Sequence, residues 1–243
     1  MTDVKVIPVS DRKQLAPLLD LQSAADAMAA YYALEHPAER VRLFGCNSPT
    51  GDPLGFMAVA QTGLDLFRPL AIPFVARRQV LLRLLRDAFR PRQPFLLHLP
   101  SDQLAWLEGQ VEIGSVQRAE TLRLEPSAYE PVLNVLVVEA AGPTDRLRYE
   151  IRTAEGTRAA AGVNWAGQRF AEVYLDADDL ARGRRLTESV LSALVGRLLG
   201  ERRIALYRVE TERLAAKTEA FHVGFRPTGI HTALAEAQMA AED

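Results

Sequence analysis

Hydrophobic positions recur along the chain with two periods, two and 3.6, and the order in which they alternate is nearly the same in both halves. Residues 4–9 predict a strand. Apolar spacing over 14–34 predicts a helix that His36-Pro37 ends, because the residue before proline is pushed out of the helical region. Residues 41–47 and 53–61 predict two strands joined by Ser48-Pro49-Thr50-Gly51-Asp52, a run of turn formers, and 64–75 predicts a third. Over 77–89, Val80, Leu81, Leu84, Leu85 and Ala88 share a face that Arg83, Arg86 and Arg90 avoid, which predicts an amphipathic helix stopped by Pro91 and Pro94. Residues 95–99 read as a short buried-type strand, 103–109 as a short helix and 111–124 as an alternating strand pair.

Residues 126–131 hold two prolines and read as a linker, and the pattern then repeats. Strands are expected over 148–153 and 158–165 around a Glu155-Gly156 turn, and over 170–176. A helix follows over 186–201 with Leu186, Val190, Leu191, Leu194, Val195 and Leu198 on its apolar side, then a strand over 204–210, a helix over 212–223 and a last strand over 226–234. Each half thus reads as three antiparallel strands, helix, strand, helix, strand, and the expected domains are 1–128 and 129–243. Residue identity between the halves is slight.

Composition narrows the class without choosing a function. The chain has 243 residues, 48% apolar and 25% charged, which suits an ordinary globular protein of one large or two compact domains. A net charge of −2, spread over both halves, lacks the basic excess that neutralises phosphates on a duplex, so no nucleic-acid partner is expected. The absence of a membrane-length apolar run or a leader-like start makes the cytoplasm the expected location, with no membrane partner. Cys46 stands alone as the one cysteine and the four histidines are scattered, so neither a disulfide nor a metal is expected. The preference for arginine over lysine fits a GC-rich bacterial genome.

The most informative stretch is Ala171-Glu-Val-Tyr-Leu-Asp176, then Leu180-Ala-Arg-Gly-Arg-Arg-Leu-Thr187, then a long helix. A strand feeding an Arg/Gly loop that opens a helix brings backbone N–H groups and the positive helix end together, an arrangement suited to a diphosphate. An ordinary strand-to-helix turn has the same outline. Further on, His222-Val-Gly-Phe-Arg-Pro-Thr-Gly229 ends a helix at a glycine and enters a strand through phenylalanine.

Strand, R-G-x-x loop, long helix, strand, helix and G-F turn together resemble the GNAT superfamily of N-acetyltransferases, whose loop reads R-G-x-G-x-G or R-G-x-G-x-A. Arg182-Gly183-Arg184 fit, whereas Arg185 and Thr187 replace the later small residues. The resemblance is good over 146–234 and extends to 1–125 in element order. It implies an α+β protein made of two GNAT-like halves, each a mixed, mostly antiparallel sheet flanked by helices. It also implies an acyl-coenzyme A donor, acetyl-CoA in the first place, lying where the fourth and fifth strands part, with the backbone near Leu175, Asp176 and Ala177 on the pantetheine. Amides of Arg182, Gly183, Arg184, Arg185, Leu186 and Thr187 would hold the pyrophosphate. Acetyl transfer would go to a primary amine of a small molecule or peptide, with Glu172 as base and a homodimer among the possible assemblies. The tyrosine acid that the family often carries four residues before the G-F glycine is replaced by Ala220, and the asparagine often found earlier in that helix falls at Arg213.

Each of these residues also has a plainer reading. Glu172 can face solvent or pair with an arginine, and Asp176, Asp178 and Asp179 can form a solvated turn that balances Arg182, Arg184 and Arg185. The first half carries Pro73-Phe-Val-Ala-Arg-Arg-Gln79 at the loop position, with no glycine, which reads as a lost coenzyme site. Arg77, Arg78, Arg83 and Arg86 read as a solvated helix face, Trp106 and Trp165 as packing residues with Trp165 near the expected acceptor pocket. Cys46 reads as a partly buried thiol, and His36, His98 and His231 as structural. His222 could titrate near neutrality. A non-catalytic GNAT-fold module for CoA sensing or protein association, or a transferase using a longer acyl or an aminoacyl donor, therefore stays open beside acetyl transfer.

Overall fold

The computed structural model describes residues 4–63, 65–141, 146–156, 158–183 and 185–241. Contacts divide the chain into two units: residues up to Arg118 joined by those from His231 on, and Ala119–Ile230. The chain passes between them inside two long strands, β6 (Val111–Leu124) and β12 (Phe225–Met239). A single cut after residue 128 was expected; the observed division differs because Thr232–Gln238 of β12 pair antiparallel with Pro94–Pro100 of the first unit.

In the first unit, β1 (Lys5–Pro8) is followed by a 3-10 turn over Arg12–Leu18, then α1 (Ala27–Ala30), which continues into a π-helical turn over Tyr31–Glu35. The single helix expected over 14–34 is broken. Pro17 removes a backbone donor, and the side chains of Asp20, Ser23 and Asp26 take the N–H groups of Gln22, Ala25 and Asp20 that a helix would have used. Next come β2 (Val41–Asn47), β3 (Pro53–Ala60), β4 (Leu70–Val75), α2 (Arg78–Ala88) and β5 (Pro94–Pro100), which with part of β12 make a sheet ordered β1-β2-β3-β4-β5-β12. β4 starts later than expected because Asp65 accepts the N–H groups of Phe67 and Arg68 and bends the chain there; Leu64 lies outside the described residues. Residues 111–124 form one 14-residue strand in place of the expected pair, and the helix expected over 103–109 is a 3-10 turn over Ser101–Leu107. The apolar face of α2 packs with Met57, Val59, Phe95 and Leu97, and Cys46 sits in the same core.

The second unit holds the 3-10 turn Pro126–Ala128, β7 (Val138–Ala141), β8 (Leu147–Arg152), β9 (Arg158–Ala166), β10 (Phe170–Ala177), α3 (Asp179–Gly183), α4 (Leu186–Gly200), β11 (Ile204–Glu210) and α5 (Leu214–Val223). Its sheet runs β7-β8-β9-β10-β11-β6, antiparallel except for the β10/β11 pair that α4 connects. The short edge strand β7 was not expected, and β12 runs five residues past the expected end at 234.

α4 is the centre of this unit. Val190, Leu191, Leu194 and Val195 are fully buried, each removal from water being worth about 1.5–3 kcal/mol. Its polar residues Thr187, Glu188, Ser189 and Ser192 are buried as well, and the 126–131 segment is packed onto the helix rather than free. Tyr129 donates its hydroxyl to the Ser192 carbonyl (3.0 Å), Val132 donates its N–H to Ser192 Oγ (2.9 Å), and the Tyr129 oxygen lies 2.7 Å from where a Cβ on Gly196 would stand. Gly224 ends α5 at φ 108°, and a Cβ there would come within 2.6 Å of the Ala128 carbonyl, so only glycine fits. Among the described residues no helix is long and apolar enough to cross a membrane.

Candidate functional site

β10 and β11 pair over only four positions, Phe170–Val173 against Ile204–Tyr207, and then part. Beyond that point residues 174–177 keep their partners on β9, and 208–210 keep theirs on β6, so the edges that face each other are unpaired. Leu175, Asp176 and Ala177 therefore lie on the part of β10 that is no longer paired with β11. The first unit repeats the feature, with β4 and β5 paired only at Leu70 and Ala71.

Glu172 sits one residue before the strands part and is buried. Its side chain leaves the sheet on the face opposite α4, since Ala171 and Val173 belong to the α4 core. A bulge fixes what it meets. Glu172 faces Trp165 and Val173 faces Val163, so β10 has no counterpart for Asn164. The extra residue turns its side chain to Glu172, donating from Nδ2 to Oε1 over 2.8 Å, and its carbonyl accepts from Arg146 Nη1. Arg208 on β11 places Nη2 at 3.8 Å from the same Oε1. Trp165 is buried directly across from Glu172. Two residues on, Tyr174 lies over Gly162, whose hydrogen leaves room for the ring, and accepts a hydrogen bond of 2.8 Å from Arg148 Nη1.

The 182–187 loop is more helical than expected: α3 occupies Asp179–Gly183, and Arg185, at φ 57°, makes a left-handed step into α4. Arg184 lies outside the described residues. The arginines here are paired. Arg182 Nη1 donates to Glu219 Oε2 on α5 at 2.8 Å, and Arg185 donates from Nε and Nη2 to Glu188 Oε2 at 2.7 and 2.5 Å. Glu188 completes its shell with His222 Nδ1, 2.8 Å from Oε1. Burial pushes the Glu188 carboxyl up, but the hydrogen bonds from Arg185 and His222 outweigh it and hold the group below the ordinary carboxylate range. Among the described residues Arg182 and Arg185 pair with glutamates rather than with the expected Asp176, Asp178 and Asp179. Asp176 pairs with Arg158 at 2.9 Å, and Asp178 accepts the Arg158 N–H while its carbonyl accepts from Ala181 and Arg182. Glu188 and Glu219 were not singled out in the sequence; an (i, i+3) Arg-Glu pair reads as a surface contact, and 37 residues separate Arg182 from Glu219.

Thr187, in the first turn of α4, is fully buried and its hydroxyl has no hydrogen-bond partner among the described residues. Tyr207, the last β11 residue paired with β10, is buried against Phe225, and burial pushes its phenol up to about 12. Ala220 is fully buried in the α4 core. In the first unit the corresponding strand-to-helix step is closed by its own chain: Arg78 donates to the carbonyls of Trp106 and Glu108, and Gln103 donates to the Val75 carbonyl. Arg78 stays exposed, as a solvated helix face expects, and in addition ties the 106–108 turn to the start of α2. Among the described residues no group of three or more His, Cys, Asp or Glu side chains is placed to hold a metal ion.

No protein-family model matches the chain, and no curated protein matches it. Solved structures do. A tandem GNAT protein from the clavulanic acid biosynthesis pathway aligns over 99% of this chain and 100% of its own, with a TM-score of 0.58 at 13% identity. The chain has a tandem GNAT fold. GCN5-related N-acetyltransferases from Sphaerobacter thermophilus (TM-score 0.59, 10% identity, 97% of this chain and 95% of that one) and Kribbella flavida (0.56, 17%, 87% and 95%) share it.

Within a GNAT fold the parted strands and the α4 N-terminus are where an acyl-CoA would be tested for fit. The backbone frame fits: an open strand edge at 174–177, a left-handed step at 185, helix N–H groups without intrahelical acceptors, and the unpartnered Thr187 hydroxyl. The positive charges fit as well, but each described one already holds a carboxylate.

Proposed function

We propose that the protein is an acetyl-CoA-dependent N-acetyltransferase acting on a primary amine of a small molecule or peptide, with its donor site in the second unit. The observation that carries this reading is the parting of β10 and β11 beyond Val173, the residue after Glu172, followed by the turn into α4. When bound, the donor supplies an activated acyl thioester. The edge of β10 at Leu175–Ala177 would hold the pantetheine arm through backbone groups, and Arg182, Gly183, Arg184, Arg185, Leu186 and Thr187 would hold the diphosphate through N–H groups, the Thr187 hydroxyl and arginine charge.

Glu172 is the base. Asn164 and Arg208 both address Oε1, which leaves Oε2 to take a proton from the ammonium of the acceptor, directly or through a water. Ala220 supplies no acid, so the proton needed by the departing thiol comes from solvent or another group. The first unit, closed at its own helix step by Arg78 and Gln103, carries no donor.

Calorimetric titration of the full chain with acetyl-CoA and with CoA, on the natural protein and on Gly183→Asp, tests the reading. Binding that the variant loses supports it, and thiol release with an amine panel then finds the acceptor class. Binding without transfer to any amine would favour a non-catalytic coenzyme sensor, the reading that the paired arginines and Ala220 favour. No binding at all would overturn the donor site.

A further inference from the structure

A diphosphate approaching α4 meets an anion already in place. Glu188 sits in the first helical turn with its side chain only 5% exposed, beside the N–H groups and the arginine that an incoming phosphate needs. An acidic side chain near a helix N-terminus draws on the same field that binds anions there. Glu188 is therefore the internal counterpart of the ligand that the loop resembles a site for.

Both partners of Glu188 reach solvent, the His222 imidazole being 53% exposed, but they hold different oxygens of the carboxylate. The Arg185 side chain is 69% exposed, so its guanidinium can turn outward into solvent by rotation about its own bonds. The carboxylate cannot follow, being enclosed by α4 and α5. It does not need to, because His222 Nδ1 holds its other oxygen at 2.8 Å from α5. A buried carboxylate that loses one charged partner is costly to leave bare, and the imidazole prevents that. Arg182 is less free: its partner Glu219 and the arginine itself are both largely enclosed, at 10% and 24% exposure.

We propose, resting on the donor reading above, that Glu188 sets the affinity of this site: Arg185 exchanges Glu188 for a phosphate oxygen of the donor's diphosphate, while His222 keeps the released carboxylate paired. The chain thus carries at Arg185 a movable cationic ligand where the GNAT loop has a glycine, and a built-in competitor for it three residues on. The internal pair lowers affinity for any ligand with a diphosphate and leaves unchanged the affinity for a ligand that lacks one.

The test is calorimetry on the full chain with two probes, CoA and pantetheine, the latter carrying no phosphate. Glu188→Gln keeps shape and removes the competing charge; it is expected to bind CoA about tenfold or more tightly than the natural protein, the weight of one charge-assisted hydrogen bond. Arg185→Gln, an exposed change that leaves the core intact, is expected to weaken CoA by a similar factor. Neither change is expected to alter pantetheine binding by more than about twofold. CoA binding that is equal or weaker in Glu188→Gln, CoA binding indifferent to Arg185→Gln, or a gain shared by pantetheine would each overturn the exchange while leaving the donor reading intact. Absence of CoA binding in the natural protein and in Glu188→Gln alike would overturn both. A Glu188→Gln chain that does not fold leaves the decision to Arg185→Gln.

Discussion

Asn164 reaches Glu172 from the position of β9 that the bulge leaves unmatched, and the bond it makes is 2.8 Å long. A regular ladder would have placed the residue opposite Glu172 and its successor on alternate faces. The bulge instead brings an amide donor alongside a buried carboxylate, and Arg146 caps the carbonyl that the bulge leaves over. Glu172 is thereby fixed through one oxygen at the point where the strands separate.

If Glu172 removes the acceptor's proton, Glu172→Gln lowers turnover by about two to four orders of magnitude while CoA binding persists. Thiol release from acetyl-CoA with an active amine measures the rate. An unchanged rate assigns the proton elsewhere.

Asn164→Ala deletes the donor and keeps the bulge. Glu172 retains Arg208 at 3.8 Å, so the cost belongs at the lower end of that for an under-satisfied buried acceptor, about 1 kcal/mol. Urea denaturation at neutral pH reads it, and a variant as stable as the natural chain would show that the bond holds nothing in place.

Gly224→Ala forces a Cβ to within 2.6 Å of the Ala128 carbonyl at a φ of 108°. The strain expected from the backbone alone is about 1–3 kcal/mol, and the contact adds to it. A fall in melting temperature of several degrees is the expected result; a melt within one degree of the natural protein would mean that residues 126–129 move away freely.

Gly162→Ala tests the face that carries Glu172. The added Cβ stands 2.5 Å from the Tyr174 ring, so the phenol must leave the Arg148 guanidinium to make room. Overpacking of this kind costs about 1–3 kcal/mol, read by chemical denaturation. An unaltered midpoint would show that the ring is not pressed onto β9.

Acid tests the α4 N-terminus. The Glu188 carboxyl is held below its ordinary value of 4.5, so its charged form is favoured more in the folded chain than in the unfolded one. The stability this contributes is complete above that ordinary value and is lost as the pH falls through and below it. Stability followed by urea titration from pH 6 to pH 3 should decline less steeply in Glu188→Gln than in the natural chain. Parallel curves would refute the linkage.

Much of this fold is written in periodicity that a reader can follow. The strands at 41–47 and 204–210 begin and end where alternation does, and the apolar side of α4 is the buried side. Elements failed where local chemistry outranked the pattern. Asp20, Ser23 and Asp26 compete for backbone donors inside an apolar-periodic run, and Ala235-Glu-Ala-Gln-Met239 extends β12 with residues of little strand preference because β5 supplies the ladder. The strand-to-helix step at 182–187 was visible as an arginine-rich turn opening α4. The pairing of Arg182 with Glu219, and of Glu188 with His222, was not, since it depends on α5 lying beside α4.

The division of β12 sets an order of assembly. Residues 232–238 complete the edge of the sheet begun at Lys5, so that sheet stays open at β5 until the whole of the second unit has been synthesised. During translation an apolar strand edge, Phe95 to Leu99, waits for a partner more than 130 residues away in sequence, and closing so long a loop is slow. Neither half can be cut free at residue 128 and keep its native sheet: the first piece would lose its last strand, and the second would carry that strand with nothing to pair it.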